Sequence, residues 1–285
     1  MNSVRDVLVT ATKTLAGAGI EGAGRDARLL MSHALDIAPD RLTLVLPDPM
    51  PEEAAERFAT SLDRRLSRVP VSHILGRRSF YGRDFIVSGD VLDPRPETET
   101  LVIEALAKPF TAVLDLGTGS GAILLTLLAE QPLAKGLGTD TSEAALAVAR
   151  SNAEHIGVGS RARWLRADWF EGVEGTFDLI VSNPPYIAAD EMDALSPELA
   201  HEPRGALTDE ADGLSAFRTI ISQARGFLGP RGRLIVEIGP TQGSAVADMM
   251  LAAGFKAVRV LSDLDGRDRV VRAQLPNPHP RNVGK

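Results

Sequence analysis

The chain has 285 residues, 44% of them hydrophobic, and a formal net charge of −7 at pH 7. That apolar content can bury a substantial core, which excludes a chain that is disordered throughout. The acidic balance argues against a protein that binds nucleic acid by general electrostatic attraction. The sequence contains no cysteine, so disulfides, thiolate catalysis and cysteine-bound metals are excluded.

Two further expectations come from the apolar runs and the histidines. No apolar run has the form of a signal peptide or is long enough to span a membrane, so we expect a soluble, cytoplasmic protein. The five histidines are scattered without the spacing of metal ligands, which predicts no metal site. They are His33, His73, His155, His201 and His279.

Residues 1–75 are predicted to be helical. Apolar residues recur at helical spacing in two stretches, 4–15 and 29–35. A proline and two glutamates, Pro51–Glu53, mark the start of a third helix that is expected to run to about Arg68. No motif of catalytic chemistry occurs here, so the segment either binds a partner or is a structural cap.

A β-hairpin linker is predicted next. From Val69 to Val91 the chain changes to short β-like stretches broken by glycines, and we place the linker at residues 76–95. Two prolines in Asp93–Glu99 then keep the chain extended before a helix expected at about 97–108.

From residue 111 onward, apolar strand-like stretches alternate with helical ones, which predicts a mostly parallel sheet covered on both faces. Such sheets bind ligands at the carboxyl ends of their strands. The expected strands are 112–116, 134–139, 162–165, 177–181, 233–238, 257–261 and 269–274. The expected helices are 122–130, 142–155, 214–228 and 244–253.

A glycine-rich loop follows the first of these strands. Glycines alternate at 117, 119 and 121, and the first of them lies two residues after Asp115. They allow a tight turn and expose amide groups at a helix start. Dinucleotide, mononucleotide and S-adenosylmethionine folds all use such a loop. This one lacks both the Gly-x-Gly-x-x-Gly spacing of dinucleotide folds and the terminal Gly-Lys-Ser/Thr of a P-loop.

The segments that follow the next two strands contain three candidate cofactor contacts. Asp140 follows the second strand, where a carboxylate can accept hydrogen bonds from a ribose diol, although it could instead cap the next helix. Asp168 and Trp169 follow the third strand, where an adenine edge and face would lie. The indole of Trp169 could equally be part of the core.

The most specific motif is Asn183–Tyr186, with the sequence Asn-Pro-Pro-Tyr, directly after the fourth strand. Methylation of a planar amide or amine nitrogen requires its delocalised lone pair to face the methyl donor. The Asn183 carboxamide oxygen and the Pro184 carbonyl can accept both N–H groups of the target, and the ring of Tyr186 can support the planar group. This chemistry needs no metal and no general base. The alternative is an ordinary proline turn.

Together these motifs resemble those of the class I S-adenosylmethionine-dependent methyltransferases and, within that class, the release factor glutamine methyltransferases. The similarity covers nearly the whole chain. It also rests on Pro70–Gly76, Pro94–Glu99, Glu202–Pro203 and Asp212–Leu214. One departure is Asp93, where the family usually has an apolar residue.

The resemblance implies an α/β fold of the class I methyltransferase type, Rossmann-like, with a seven-stranded, mostly parallel sheet. It implies an N-terminal helical substrate-binding domain at residues 1–75, the hairpin linker at 76–95 and the methyltransferase domain at 96–276. The last residues, 277–285, are expected to be a disordered tail.

The resemblance also assigns a reaction. It implies S-adenosyl-L-methionine as cofactor, S-adenosyl-L-homocysteine as product, and no metal. The substrate would be the glutamine of the Gly-Gly-Gln motif in class 1 peptide chain release factors, methylated at its amide nitrogen N5. Asn183, Pro184 and Tyr186 would be catalytic and, with Pro185, would hold this glutamine. The cofactor-binding residues would be Gly117, Thr118, Gly119, Ser120, Gly121, Asp140, Asp168, Trp169, Asn183, Arg95 and Glu97.

Two other functions remain open from the residues alone. One is an N-methyltransferase for adenine or guanine in nucleic acid, since such enzymes use a similar Asn/Asp-Pro-Pro-Tyr motif; the acidic charge and the lack of a target-recognition domain favour a protein substrate. The other is a nucleotide-binding module without catalysis. We expect a monomer that binds neither membranes nor nucleic acid directly.

Overall fold

A computed structural model of the chain describes residues 2–276, and the tail predicted at 277–285 lies outside the described residues. The chain divides into two compact units. One holds the residues up to Arg77 together with Ser196–His201. The other holds Arg78–Leu195 and the residues from Glu202 onward. The inclusion of Ser196–His201 with the N-terminal helices was not expected from the sequence.

The first unit is helical, as its apolar spacing predicts. It contains α1 (Val4–Gly17), α2 (Ala23–Ala34), α3 (Leu42–Val45), α4 (Glu52–Leu66) and α5 (Val71–Leu75), which share one apolar core. A capping box begins α1, because Ser3 Oγ accepts from Asp6 N at 3.2 Å and the Asp6 carboxylate accepts from Ser3 N at 3.0 Å. The third predicted helix, α4, begins after Pro51 and ends at Leu66, close to its expected end at Arg68.

The prediction of β-like structure from Val69 was wrong for the residues before Gly76. They form α5, which begins after Pro70 and ends where Gly76 adopts a left-handed conformation with a φ of 70°. A short apolar stretch fits a strand and a helical turn equally well, so the sequence pattern does not decide between them. Packing against the helical core does, since Ile74 is buried there.

A buried ion-pair cluster joins two helices of this unit to Ser196–His201. Arg65 Nε donates to Asp26 Oδ2 at 2.9 Å, and both side chains are almost completely buried. Arg65 Nη1 also donates to Glu198 Oε1 at 3.0 Å, which Arg68 Nη1 approaches to 3.3 Å. One guanidinium therefore binds two carboxylates, each from a different segment of the unit.

The predicted β-hairpin is present as β1 (Arg77–Phe80) and β2 (Arg83–Ile86), which pair in a two-stranded sheet, whereas the linker bounds 76–95 stay a prediction. A 3-10 turn at Pro96–Thr98 then leads into α6 (Glu99–Leu106), within the predicted helical stretch 97–108. Proline is favourable at the first position of this turn because its missing N–H needs no partner there.

The second unit is built on a seven-stranded sheet. Its strands are β3 (Ala112–Leu116), β4 (Lys135–Asp140), β5 (Ala162–Arg166), β6 (Phe177–Ser182), β7 (Leu228–Glu237), β8 (Lys256–Ser262) and β9 (Asp268–Gln274). Their order across the sheet is β5-β4-β3-β6-β7-β9-β8. The first five are parallel, and β9 is antiparallel to both β7 and β8. This confirms the predicted seven-stranded, mostly parallel sheet.

Helices cover both faces of this sheet. They are α6, α7 (Ala122–Glu130), α8 (Glu143–Ile156), α10 (Ser215–Ala224) and α11 (Gly243–Ala252), whereas the short helix α9 (Arg204–Leu207) lies in the loop between β6 and α10. Successive strand residues belong to different apolar clusters, with Val113 and Leu179 in one and Leu114 and Ile180 in the other. A central strand buried on both faces explains the unbroken apolar runs in the sequence.

The fifth predicted strand begins earlier than expected. Leu228 already pairs with Phe177, whereas the pattern placed Leu228 at the end of a helix and began the strand at Arg233. The next paired residue after Leu228 is Arg233, opposite Leu179, so the register shifts across Gly229–Gly232. Because this irregularity interrupts the apolar run, the sequence pattern does not predict the first part of β7.

Strand order brings the two main motifs together. The chain passes from β3 outward through β4 to β5, and then returns to the other side of β3 as β6. Leu116 is in register with both Thr139 and Ser182, so the glycine loop, Asp140 and Asn183 all begin at the same sheet edge. This is the point of strand-order reversal at which open α/β sheets bind ligands.

Candidate functional site

A cavity of about 330 Å³ lies at this edge, a volume typical of small-molecule sites. Its wall combines the segment before α6, the glycine loop, the ends of β4 and β5, the turn after β6 and part of the loop near α9. The predicted site residues in this wall are Arg95, Gly117, Thr118, Gly119, Ser120, Asp140, Asp168, Trp169, Asn183 and Pro185. Glu97, Gly121, Pro184 and Tyr186 do not line the cavity in the described part of the chain.

The glycine loop has the geometry that its sequence requires. Gly117, Gly119 and Gly121 all have positive φ, at 67°, 55° and 78°. Gly121 lies at the start of α7, where a Cβ would approach Leu125 Cδ1 to 2.9 Å and Ala149 Cβ to 3.3 Å. Gly121 therefore allows α7 and α8 to pack closely. It does not line the cavity, but this packing supports the loop.

Asp140 organises the loop that it faces. Its Oδ2 accepts from Gly119 N at 2.9 Å, and its Oδ1 accepts from Ser142 N at 2.9 Å. The helix cap is Ser142, whose Oγ accepts from Ala145 N, so Asp140 does not fill the capping role left open by the sequence. Each carboxylate oxygen retains acceptor capacity for a diol.

Trp169 lies between the apolar core and the cavity. It packs against one apolar cluster and also lines the cavity. Its indole Cζ3 lies 3.9 Å from the Cβ position of Gly117, so the ring lies beside the glycine loop. Its φ is +50°, and its carbonyl accepts from Thr139 Oγ1 at 3.2 Å. A bulky residue in this backbone region is uncommon and often marks a functional site.

One polar atom of Asn183 has no hydrogen-bond partner among residues 2–276. Its Nδ2 donates to Thr98 Oγ1 at 3.3 Å. Its Oδ1 is buried and accepts no hydrogen bond from residues 2–276. A buried carbonyl oxygen without a donor is costly unless another molecule provides one. The amide therefore has an acceptor available at the cavity wall.

The backbone of Tyr186 is held by the side chain of Gln242, which lies in the turn between β7 and α11. Gln242 Nε2 donates to Tyr186 O at 2.8 Å and to Gly213 O at 3.1 Å, while Gln242 Oε1 accepts from Gly239 N at 2.9 Å. Burial, together with the charge of nearby Glu237, raises the pKa of the Tyr186 phenol above its usual range. Tyr186 is therefore neutral at physiological pH.

Arg95 joins two segments of the wall. Its Nη2 donates to Glu202 Oε1 at 2.5 Å, which ties the extended segment before α6 to the loop near α9. The family pattern had singled out both residues, but the sequence alone did not predict that they pair. Asp93, the departure from that pattern, is buried and lines the same cavity.

Two family models match the chain. The PrmC N-terminal domain matches residues 6–76, and the Methyltransferase small domain matches residues 86–213. A release factor glutamine methyltransferase of Cereibacter sphaeroides is 57% identical over 272 residues, covering 95% of this chain and 98% of that protein. The chain belongs to the release factor glutamine methyltransferase family. The family predicted from the motifs is thus confirmed.

Further similarities agree with this family. A release factor glutamine methyltransferase of Caulobacter vibrioides is 46% identical over 273 residues, covering 92% of this chain and 93% of that protein. The crystal structure of a methyltransferase from Pyrococcus furiosus superimposes with a TM-score of 0.56 at 17% identity, covering 75% of this chain and 99% of that one. At that identity, the structural similarity supports the fold alone.

Three residues of this family member support the site but were given no role from the sequence. They are Asp115, Glu237 and Gln242. Asp115 was noted as an acid before the glycine loop, and it accepts from Thr118 Oγ1 at 2.6 Å. Gln242 had no sequence signal, because the carbonyls that it binds are 29 and 56 residues away in the chain.

The cavity fits the cofactor expected for this family. It offers a carboxylate for a ribose diol at Asp140, an indole for adenine at Trp169, and glycine amides beside both. Within residues 2–276, no three His, Asp or Glu side chains are grouped so as to hold a metal ion. In the same stretch of chain, no helix is both long and apolar enough to cross a membrane.

Proposed function

We propose that this protein transfers a methyl group from S-adenosyl-L-methionine to the side-chain amide nitrogen N5 of the glutamine in the Gly-Gly-Gln motif of class 1 release factors. The observation that carries the proposal is the buried Asn183 Oδ1, which lacks a donor in the described chain and belongs to a residue in the cavity wall. The names of the relatives, at up to 57% identity, favour this substrate over a nucleic-acid base.

The reaction requires control of the lone pair on the amide nitrogen. A primary amide is a poor nucleophile because this lone pair is delocalised into its carbonyl group. Asn183 Oδ1 and Pro184 O accept the two N–H groups and direct the lone pair toward the methyl donor. As positive charge develops on the nitrogen, both acceptors bind its hydrogens more strongly, which stabilises the transition state. The methylated nitrogen then releases one of its two protons to solvent water, which leaves a neutral N-methylated amide.

The chain binds the cofactor and keeps it in position for this step. S-adenosylmethionine supplies an electrophilic methyl group when bound, leaving S-adenosylhomocysteine. We assign the ribose hydroxyls to Asp140, the adenine to Asp168 and Trp169, and the rest of the cofactor to the glycine loop and Arg95. Glu97 and Gly121 do not line the cavity, and we assign them the role of supporting the residues that do. No metal takes part.

The helical segment 1–75 is proposed to bind the release factor. Its match to the PrmC N-terminal domain supports this role, as does its lack of catalytic motifs. We propose that the enzyme works in the cytoplasm as a monomer and does not bind nucleic acid directly. The net charge of −7 supports the last point, because phosphate backbones repel an acidic surface.

Methyl transfer with isotope-labelled cofactor tests the proposed substrate. A recombinant class 1 release factor should take up the label at the glutamine of its Gly-Gly-Gln motif, as located by peptide mass spectrometry. The matched control is the same factor with that glutamine changed to alanine, which should stay unlabelled. Labelling of the control, or labelling of DNA or RNA instead, would refute the proposal.

Asn183→Ala tests the proposed mechanism. It should lower kcat at least ~100-fold, the scale of loss when one preorganised transition-state contact is removed. Cofactor affinity, measured by calorimetry, should be preserved. A variant that keeps normal turnover would contradict the role of Asn183 in gripping the amide.

A further inference from the structure

An asparagine amide has two ends of nearly equal shape and opposite hydrogen-bonding character. The proposed reaction needs the oxygen end of Asn183 toward the substrate, because the target NH2 group offers donors. If the amide were turned by 180°, its own NH2 group would oppose the NH2 group of the substrate. The enzyme therefore needs a device that selects one orientation.

Thr98 lies where such a device would act. It is the last residue of the turn before α6 and is only 4% exposed. Its Oγ1 lies 3.3 Å from Asn183 Nδ2 and accepts from it, while Asn183 Oδ1 has no donor in the described part of the chain. A threonine hydroxyl alone does not select an orientation, however, because it can both donate and accept.

Glu237 provides the missing selection. It lies at the end of β7, the neighbour of β6, and is 1% exposed. The Thr98 and Tyr186 hydroxyls both lie near its carboxyl group, where hydrogen bonding from them opposes the rise in its pKa that burial causes. Above its raised pKa of about 7 Glu237 is a carboxylate, which only accepts hydrogen bonds, so it takes the single Thr98 proton and leaves only lone pairs of the hydroxyl for Asn183. Only Nδ2 can then face Thr98.

We propose that Thr98 is a positioning residue that sets the amide orientation of Asn183, with its own hydroxyl proton directed to Glu237. The inference rests on the proposed function, since it assigns Thr98 a role in the same transfer to an amide nitrogen. Burial beside this network favours a single arrangement, because each reversed hydrogen bond would leave a polar atom unsatisfied.

Thr98→Val keeps the shape of the side chain and removes its hydroxyl. At pH 8, where Glu237 is ionised, we expect kcat for methyl transfer to fall about 10-fold, the rate equivalent of one ordinary hydrogen bond. Thr98→Ser, which restores the hydroxyl, should recover most of this loss. The matched control is Thr126→Val, because Thr126 is also fully buried but its hydroxyl has no partner within residues 2–276; its kcat should be unchanged.

The decisive comparison uses Asn183→Asp, whose two carboxylate oxygens make the orientation of the group irrelevant. In that background, adding Thr98→Val should reduce the remaining activity less than about 2-fold, because coupled residues lose additivity. An equal loss in both backgrounds would overturn the proposal, and so would a Thr98→Val defect confined to cofactor affinity. Failure of the proposed function is distinct, since the unmodified enzyme would then not methylate the release factor at all.

Discussion

Two buried carboxyl groups lie near the ends of β3 and β7, the two strands that flank β6. Asp115 is fully buried at the end of β3 and Glu237 is almost fully buried at the end of β7. Burial raises the pKa of each to about 7, although hydrogen bonds from Thr118 to Asp115 oppose the effect. Both groups therefore bind a proton in the folded protein at a pH where the unfolded chain has released it.

The sign of the resulting pH dependence follows from this difference. For Asp115, the ordinary pKa of 3.8 is raised to about 7 on folding. Its contribution to the free energy of unfolding is complete below pH 3.8. The contribution then decreases as the pH rises toward 7, by about 1.4 kcal/mol per pH unit.

Asp115→Asn should therefore flatten the pH dependence of stability. Urea unfolding between pH 4.5 and 7 should show a smaller decrease in the free energy of unfolding for the variant than for the unmodified protein. Above pH 8 the two slopes should agree, because Asp115 is ionised in both states there. Parallel curves across the whole range would show that Asp115 does not carry a raised pKa.

At the scale of elements, strong local signals predicted the structure well. Glycines at both ends of a tight loop made the boundaries of β3 and α7 readable, and both match the structure residue by residue. The start of β7 and the helix α5 were missed for opposite reasons. A register shift broke the apolar pattern of β7, whereas α5 is too short for its pattern to distinguish a helix from a strand.

The site could be predicted in part for the same physical reason. Glycine loops, strand-end acids and the Asn-Pro-Pro-Tyr motif carry their signal in a few adjacent residues, and the parallel sheet brings them together. The contacts of Thr98 and Gln242 could not be read in this way. Each depends on a partner at least 29 residues distant, whose approach is known only once the strands are in register.

The turn after β7 should determine how well the Asn-Pro-Pro-Tyr turn is held. Gln242→Met keeps the side-chain volume but leaves the carbonyls of Tyr186 and Gly213 without its donor. We expect the free energy of unfolding to fall by about 1–3 kcal/mol, the cost of unsatisfied buried groups. We also expect a lower kcat, with the KM for the cofactor unchanged.

The matched control for this element is Gln223→Met. Gln223 is exposed on α10, so its replacement should change neither stability nor kcat. Urea unfolding and steady-state kinetics on the two variants together give the comparison. Equal behaviour of the two would show that the Gln242 amide does not support the turn.

At the scale of the whole molecule, the loop between β6 and α10 contributes to both compact units. Its middle, Ser196–His201, belongs to the helical unit, while the residues on either side belong to the methyltransferase unit. The Glu198 carboxylate binds Arg65 and Arg68. Although burial opposes the effect, a hydrogen bond from its own backbone and those from the two arginines hold the pKa of Glu198 below its ordinary value. The helical unit is therefore not built from the N-terminal residues alone.

Arg65→Met should destabilise the helical unit strongly. It leaves Asp26, whose side chain is 2% exposed, without its buried partner. Removing one member of a buried pair typically costs about 3–5 kcal/mol, so the unfolding midpoint in urea should fall markedly. Combining it with Asp26→Leu should recover much of the loss, because no buried charge is then left unpaired. No recovery in the double variant would contradict this account.

The central claim is that the turn after β6 grips an amide nitrogen through acceptors on Asn183 and Pro184. A crystal structure with S-adenosylhomocysteine and a Gly-Gly-Gln peptide measures this directly. The account predicts the glutamine nitrogen within about 3 Å of both Asn183 Oδ1 and Pro184 O, with Asn183 Nδ2 still facing Thr98. A glutamine side chain bound elsewhere, or one that contacts Asn183 through Nδ2, would contradict it.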